Sequence, residues 1–218
     1  MRILTWNLFH GRAVPGAGRD LYPEFAAALA GWRWDVALLQ EVPPWWPAHL
    51  GRACGASART ALTSRNALLP LRRRIAERAP DLIKANGGGA NVILMRGAVV
   101  AEHRRAILRR WPEQRVVHAV RLAGQGWFAN LHAQANAPRR ARADISVAGQ
   151  AVLGWAAGAP LVLGGDFNVR DPAVPTLTHL GGHGIDHVLG RGLGAVRAVE
   201  RPERGRLSDH AAVIVEVA

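Results

Sequence analysis

The sequence predicts an α/β (α+β) chain in which two β-sheets pack face to face and helices cover both outer faces. Three observations point there. Strand-like apolar runs outnumber helical patterns. The two clear helical patterns fall in opposite halves of the chain, so neither end is all-β. At 218 residues and 49% apolar content, the chain can bury a core several layers deep.

The elements follow in order. Arg2 to Leu8 reads as a buried strand with Asn7 near its end. Asp20 to Trp32 reads as a helix. Asp20 is the expected N-cap, Pro23 lies in the first turn, and Phe25, Leu29 and Trp32 recur at helical spacing. Val36 to Val42 is a second strand carrying Glu41, stopped by Pro43-Pro44 before a Trp45-Trp46 loop. Residues 48–90 carry little period; Arg72 to Arg78 reads as a short basic helix or loop, and Gly87-Gly88-Gly89 as a turn. Four strands follow, over Asn91–Met95, Val99–Leu108, Val116–Leu122 and Trp127–His132. Arg139 to Trp155 is an amphipathic helix with Ile145, Val152 and Trp155 inside. Leu161–Phe167, Ile185–Leu189, Ala195–Val199 and Ala211–Val217 complete the strands. No repeat or linker divides the chain, so one domain over 1–218 is expected.

Composition narrows the function. The formal charge is +12, and 27 of the 28 basic residues are arginine, Lys84 being the exception. Such a chain favours anionic partners, and the guanidinium fork suits phosphate. The same arginine, alanine and glycine richness also fits a GC-rich genome. Cys54 is the only cysteine, which rules out an internal disulfide and a cysteine metal cluster. No apolar run is long enough to span a membrane, and the first residues read as a strand. A cytoplasmic, membrane-free protein, monomeric by default, is expected.

The chemistry concentrates at strand ends. Leu161-Val162-Leu163-Gly164-Gly165-Asp166-Phe167-Asn168 runs an apolar strand into a carboxylate, and Ser208-Asp209-His210 precedes another apolar run. A carboxylate at the end of a buried strand is costly unless it is paired or holds a metal. Asp166 and Asn168 are two apart and would share a face on extended backbone, placing two oxygen ligands, or a base and an orienting amide, before one phosphate. Asn7, Glu41, His132 and Asp186 sit at comparable positions. Taken singly, each has an ordinary explanation: a strand-end amide, a solvated acid, a core histidine, a turn residue.

Jointly and in order, Trp6-Asn7, Leu39-Gln40-Glu41-Val42, Asn130-Leu131-His132, Gly165-Asp166-Phe167-Asn168, Ile185-Asp186-His187-Val188 and Ser208-Asp209-His210 resemble the endonuclease/exonuclease/phosphatase superfamily from residue 3 to 217. The resemblance implies a DNase I-like four-layer α/β/β/α sandwich with mixed sheets. It implies that Asn7 and Glu41 hold a divalent metal, usually Mg²⁺ with Mn²⁺ as a substitute, and that Asp209 contributes directly or through water. Asp166 would orient or deprotonate the attacking water, and Asn168 would donate to the phosphoryl oxygens. Asp186 would fix His210 as an imidazolium facing the phosphate. His132 would contact the scissile phosphate or assist the leaving group. Asn91 matches a common strand start and takes a supporting role. The acid that supports the histidine in DNase I-like members has no clear counterpart; Glu77 matches by region only. His10 and His187 adjoin motif residues and are further candidates for lining the site.

The resemblance and the charge together imply hydrolysis of a phosphodiester, first of all in DNA or RNA. A small-molecule or lipid-headgroup phosphoesterase and a catalytically silent binding module are the alternatives. Trp45 and Trp46 are expected to pack their loop onto the body in preference to stacking on bases. Arg72–Arg74, Arg104-Arg105, Arg109-Arg110 and Arg139-Arg140 fit a solvated face and a phosphate track equally well.

Overall fold

The computed structural model describes residues Met1–Ala218. Twelve strands form two mixed sheets of six. The first runs β11(Val196–Glu200)-β12(Val213–Val217)-β1(Arg2–Asn7)-β2(Val36–Val42)-β4(Ala90–Arg96)-β3(Ala56–Leu62). The second runs β5(Val100–Arg109)-β6(Arg115–Leu122)-β7(Gly126–His132)-β8(Leu161–Asp166)-β10(Asp186–Arg191)-β9(Thr178–His183). Helices α1 (Tyr22–Gly31) and α2 (Pro47–Ala53) cover the first sheet, and α5 (Pro138–Ala156) covers the second. Short helices α3 (Leu69–Arg78) and α4 (Pro80–Ile83) lie between β3 and β4. This is the four-layer sandwich that the sequence implied.

Strand alternation builds the layers. In β1, Leu4 and Trp6 turn toward Phe25 and Leu29 of α1, while Ile3 turns inward against the other sheet. In β8, Leu161 and Leu163 meet Ile145 and Val152 of α5, while Val162 faces inward with Phe128 and Val188. Strands β1 and β2 are parallel and joined through α1; β7 and β8 are parallel and joined through α5. A parallel pair needs such a crossover, and its two strands end on the same edge. A polar clip crosses the sandwich there. Gln40 Nε2 donates to Asn130 Oδ1 at 2.8 Å, and Asn130 Nδ2 donates to the carbonyls of Leu39 and Val92.

Several expectations are corrected. The N-cap of α1 is Leu21; Asp20 lies one residue outside it but still accepts the Tyr22 N–H at 3.2 Å. The stretch 48–90 contains α2, β3, α3 and α4, of which only the basic helix was anticipated. Strand β9 was not anticipated at all. Trp46 is buried against Tyr22 and Phe25, and Trp45 packs beside it, as the packing reading required.

Candidate active site

Strand register alone assembles the polar residues. His132 of β7 pairs with Asp166 of β8, and Asp166 pairs with Asp186 of β10, so the three lie in one row across the second sheet. In the first sheet Asn7 pairs with Gln40, beside Glu41. Strand β12 runs antiparallel to β1, which brings the preceding Asp209 and His210 back to the same edge.

Asp166 is the hub. Its Oδ2 accepts from Asn7 Nδ2 at 3.0 Å and lies 3.5 Å from His132 Nε2 and 3.8 Å from His210 Nε2. Its Oδ1 accepts the Asn168 N–H at 3.0 Å. Glu41 joins through His132 Nε2, 3.9 Å away, and Asp209 through His210 Nε2, 3.8 Å away. Gly165 permits this placement. It sits at φ +145°, and a Cβ there would collide with the Leu131 carbonyl, so only glycine lets β8 approach β7 so closely.

The electrostatics are sharply divided. Burial, and then the neighbouring charge of Asp186, push the Asp166 carboxyl up to about 7. Burial also raises Asp186, against the opposing hydrogen bond from His210. Burial acting on His210 would lower it. The 2.8 Å bond between Nδ1 and Asp186 Oδ2, with the charges of Asp186, Asp166 and Asp209, outweighs that and holds the imidazole up to about 9. His132 goes the other way: burial, and then the Arg115 charge, hold it well below the ordinary histidine value. The site thus offers one histidine as a cation and one as a neutral ring.

Residues not assigned from sequence hold this arrangement. Ser208 Oγ donates to the Asn7 carbonyl at 2.7 Å and accepts the His210 N–H at 3.0 Å, pinning the histidine loop to the end of β1. His10 faces Glu41 Oε2 through Nε2 at 3.1 Å and the Gly88 carbonyl through Nδ1 at 3.1 Å, so it does line the site. His187 does not: it bonds the Val169 carbonyl and His179. Arg12 stacks its guanidinium 3.7 Å over the Phe9 ring and feels the charges of Glu41 and Asp209. Asn91 is buried at the start of β4 and donates to the Val116 carbonyl of β6 at 2.9 Å. One sequence expectation fails on position. Glu77 pairs with Arg73 at the surface and supports no histidine. A second changes in geometry. Strand β8 ends at Asp166, Asn168 adopts φ +52°, and its Nδ2 donates to the Ala133 carbonyl at 3.0 Å, so the two side chains do not share an extended face.

The donors suit a hard divalent cation. Asp166, Asp186 and His210 bring ligand atoms within 4.8 Å of one another, but that trio is already closed by the Asp186–His210 hydrogen bond. Glu41 and Asp209 are partly open to solvent, with side chains 22% and 43% exposed, and the Asn7 amide oxygen accepts the Phe9 N–H at 2.9 Å.

Known proteins share this frame. A structure from Beutenbergia cavernae described as an endonuclease/exonuclease/phosphatase superposes with TM-score 0.76 at 20% identity, over 100% of this chain and 71% of that one. A mannosyl-6-phosphatase from Bacteroides thetaiotaomicron superposes with TM-score 0.72 at 17% identity, over 100% and 99%. TDP2 from Caenorhabditis elegans gives 0.70 at 16%, over 100% and 74%. At these identities the likeness is one of fold. No curated protein matches the chain significantly. The model of the endonuclease/exonuclease/phosphatase family matches residues 4–210, nearly the full length, and the chain belongs to that family.

Proposed function

We propose that the protein hydrolyses a phosphodiester by in-line attack of a water held at Asp166, with a divalent metal ion, Mg²⁺ or Mn²⁺ in its place. The observation that carries this is the Asp166 hub, a buried carboxylate pushed up to about 7 with Asn7, His132 and His210 converging on one of its oxygens. A base with a pKa near neutrality is suited to accept a proton from water. The His210 imidazolium, fixed by Asp186, turns its Nε2–H toward the same space and neutralises charge on the phosphoryl oxygens. The second N–H of Asn168 donates there too. Neutral His132 contacts the phosphate or the departing oxygen. Glu41, Asp209 and Asn7 would hold the cation, whose bound charge supplies Lewis-acid stabilisation of the phosphate.

Two substrate readings have specific support. The net charge of +12 favours nucleic acid, and the protein would then act as a nuclease in the cytoplasm. The arginine runs are partly consumed, however: Arg73, Arg104 and Arg109 pair with Glu77, Glu102 and Asp144. A walled cleft beside His132 favours a small phosphate ester. No helix is long and apolar enough to cross a membrane.

The decisive assay is hydrolysis of bis-p-nitrophenyl phosphate with Mg²⁺ or Mn²⁺. EDTA stops it, and Asp166→Ala or His210→Ala removes more than nine-tenths of the rate with the fold intact. Turnover that survives chelation, or a variant keeping over a tenth of the rate, refutes the assignment.

A further inference from the structure

We infer that the cleft beside the catalytic cluster recognises the alcohol half of the ester, and that it takes one hydroxyl-rich ring, a sugar or polyol, through a clamp of Arg65, Glu113 and Arg115. The inference rests on the phosphoester reading above.

The cleft has a volume of about 360 Å³, and Glu41 and His132 form its catalytic side. That lies at the small end of ligand pockets, which span roughly 300–1,000 Å³. Its far wall is built where one loop from each sheet meets. Glu113, in the loop between β5 and β6, accepts from Arg65 Nη2 through Oε1 at 2.5 Å and from Arg115 Nη2 through Oε2 at 2.5 Å. The two loops are fastened again by the Gln114 N–H donating to Ser64 Oγ at 2.5 Å and by Gln114 Nε2 donating to the Leu62 carbonyl at 3.3 Å. This wall is therefore fixed before any ligand arrives.

The chemistry of the wall selects the occupant. Donors and acceptors are mixed in the cleft lining: two guanidiniums, the Glu113 carboxylate, and the Gln134 and Asn136 amides. Arg115 and Gln134 are buried, each with one unpartnered atom, Nε and Oε1, that is closed off from the cleft itself. A hydroxyl both donates and accepts, so a polyol suits a lining that mixes guanidinium and amide donors with carboxylate and amide acceptors. A second phosphate only accepts and would oppose Glu113. A nucleobase needs a flat stacking face, and the only aromatic rings on the lining are the imidazoles of His10 and His132. Trp111, 80% exposed in the same loop, lies outside the lining and is the most exposed aromatic ring on which a base could stack.

The test compares two diesters, glycerophosphoinositol and bis-p-nitrophenyl phosphate, on the wild type, Glu113→Gln and Arg65→Gln, each checked for an unchanged thermal midpoint. The expected result is that Glu113→Gln lowers kcat/KM on glycerophosphoinositol by about 10- to 100-fold, mainly through KM, because hydrogen bonds to charged groups are lost. Hydrolysis of bis-p-nitrophenyl phosphate changes less than about threefold. Arg65→Gln, at the more exposed end of the clamp, gives the same selective loss if Glu113→Gln fails to fold. Free inositol competes with bis-p-nitrophenyl phosphate on the wild type and loses potency on the variants. Equal losses on both esters, or no loss on either, overturn the inference. So does a wild type that cleaves bis-p-nitrophenyl phosphate and a single-stranded oligonucleotide but not glycerophosphoinositol, with Trp111→Ala impairing the oligonucleotide alone. A wild type that cleaves no ester at all defeats the phosphoester reading itself.

Discussion

Asp186→Asn separates charge tuning from simple packing. The substitution keeps the shape of the residue and removes the charge that faces His210 Nδ1 at 2.8 Å. His210 stands at about 9 because Asp186, with help from Asp166 and Asp209, outweighs burial. Without Asp186, burial drives the imidazole back to its ordinary value near 6.5 or below it. At pH 7.5 the protonated fraction then falls from ~97% to ~10% or less, so kcat/KM drops at least ~10-fold. The acid side moves as well, because the Asp186 charge is the second cause of the raised Asp166 carboxyl, after burial. Both limbs of the bell-shaped kcat/KM profile therefore slide toward acid. The wild type rises through about 7, or lower when a bound cation favours the carboxylate, and falls through about 9. The variant falls before pH 7. The assay is bis-p-nitrophenyl phosphate hydrolysis from pH 5 to 10 at saturating metal, quenched in alkali before reading. Titration of the His210 ring by NMR in metal-free protein gives a check independent of turnover. A variant whose alkaline limb stays near 9, or whose rate falls equally at every pH, refutes the coupling.

Three further outcomes follow from the same geometry. Asp166→Asn trades activity for stability. A carboxyl raised from 3.8 to about 7 costs stability progressively as pH rises through that window, so at pH 8 in metal-free protein the amide raises the thermal midpoint while turnover falls more than ~100-fold. A lower midpoint refutes this. Glu41→Gln leaves the metal-free midpoint within a degree or two but abolishes its rise with Mg²⁺. For the wild type that rise is about 5–10 °C at 100 times Kd, from ~2.7 kcal/mol of linkage in a chain of this size. Gly165→Ala collides with the Leu131 carbonyl and forces β8 away from β7. Chemical denaturation should show a loss of at least ~2 kcal/mol, together with loss of turnover, since Asp166 follows directly.

What the sequence made legible was the inner part of each sheet. Strands β1, β2, β4, β7 and β8 are buried on both faces, so their residues form the apolar runs that a periodicity reading detects. Two of the four edges, β3 and β9, were not legible. Strand β3 reads Ala-Ser-Ala-Arg-Thr-Ala-Leu and is held by pairing with β4; β9 contains Gly181-Gly182 and is held by pairing with β10. Neither buries enough apolar surface to announce itself, because an edge strand is specified by its neighbour.

The same division runs through the site, and it explains why the reaction was easier to read than the substrate. The proton chemistry lives at the ends of buried strands, where an Asp or His is costly, stands out against apolar neighbours, and is placed by register: His132, Asp166 and Asp186 needed only strand pairing to meet. The groups that adjust it come from positions of left-handed backbone. Phe9, His10, Glu41, Asn168 and Ser208 all have φ between 50° and 63°, and none is a glycine that would have marked the turn. The cleft wall is more distant still from any sequence signal. Arg65, Glu113 and Arg115 are unremarkable as letters, two of them drawn from an excess of arginine, and they acquire meaning only because one loop from each sheet converges on Glu113. A periodic, buried element writes its place into its own residues, whereas a recognition wall is written in the contact between two aperiodic ones.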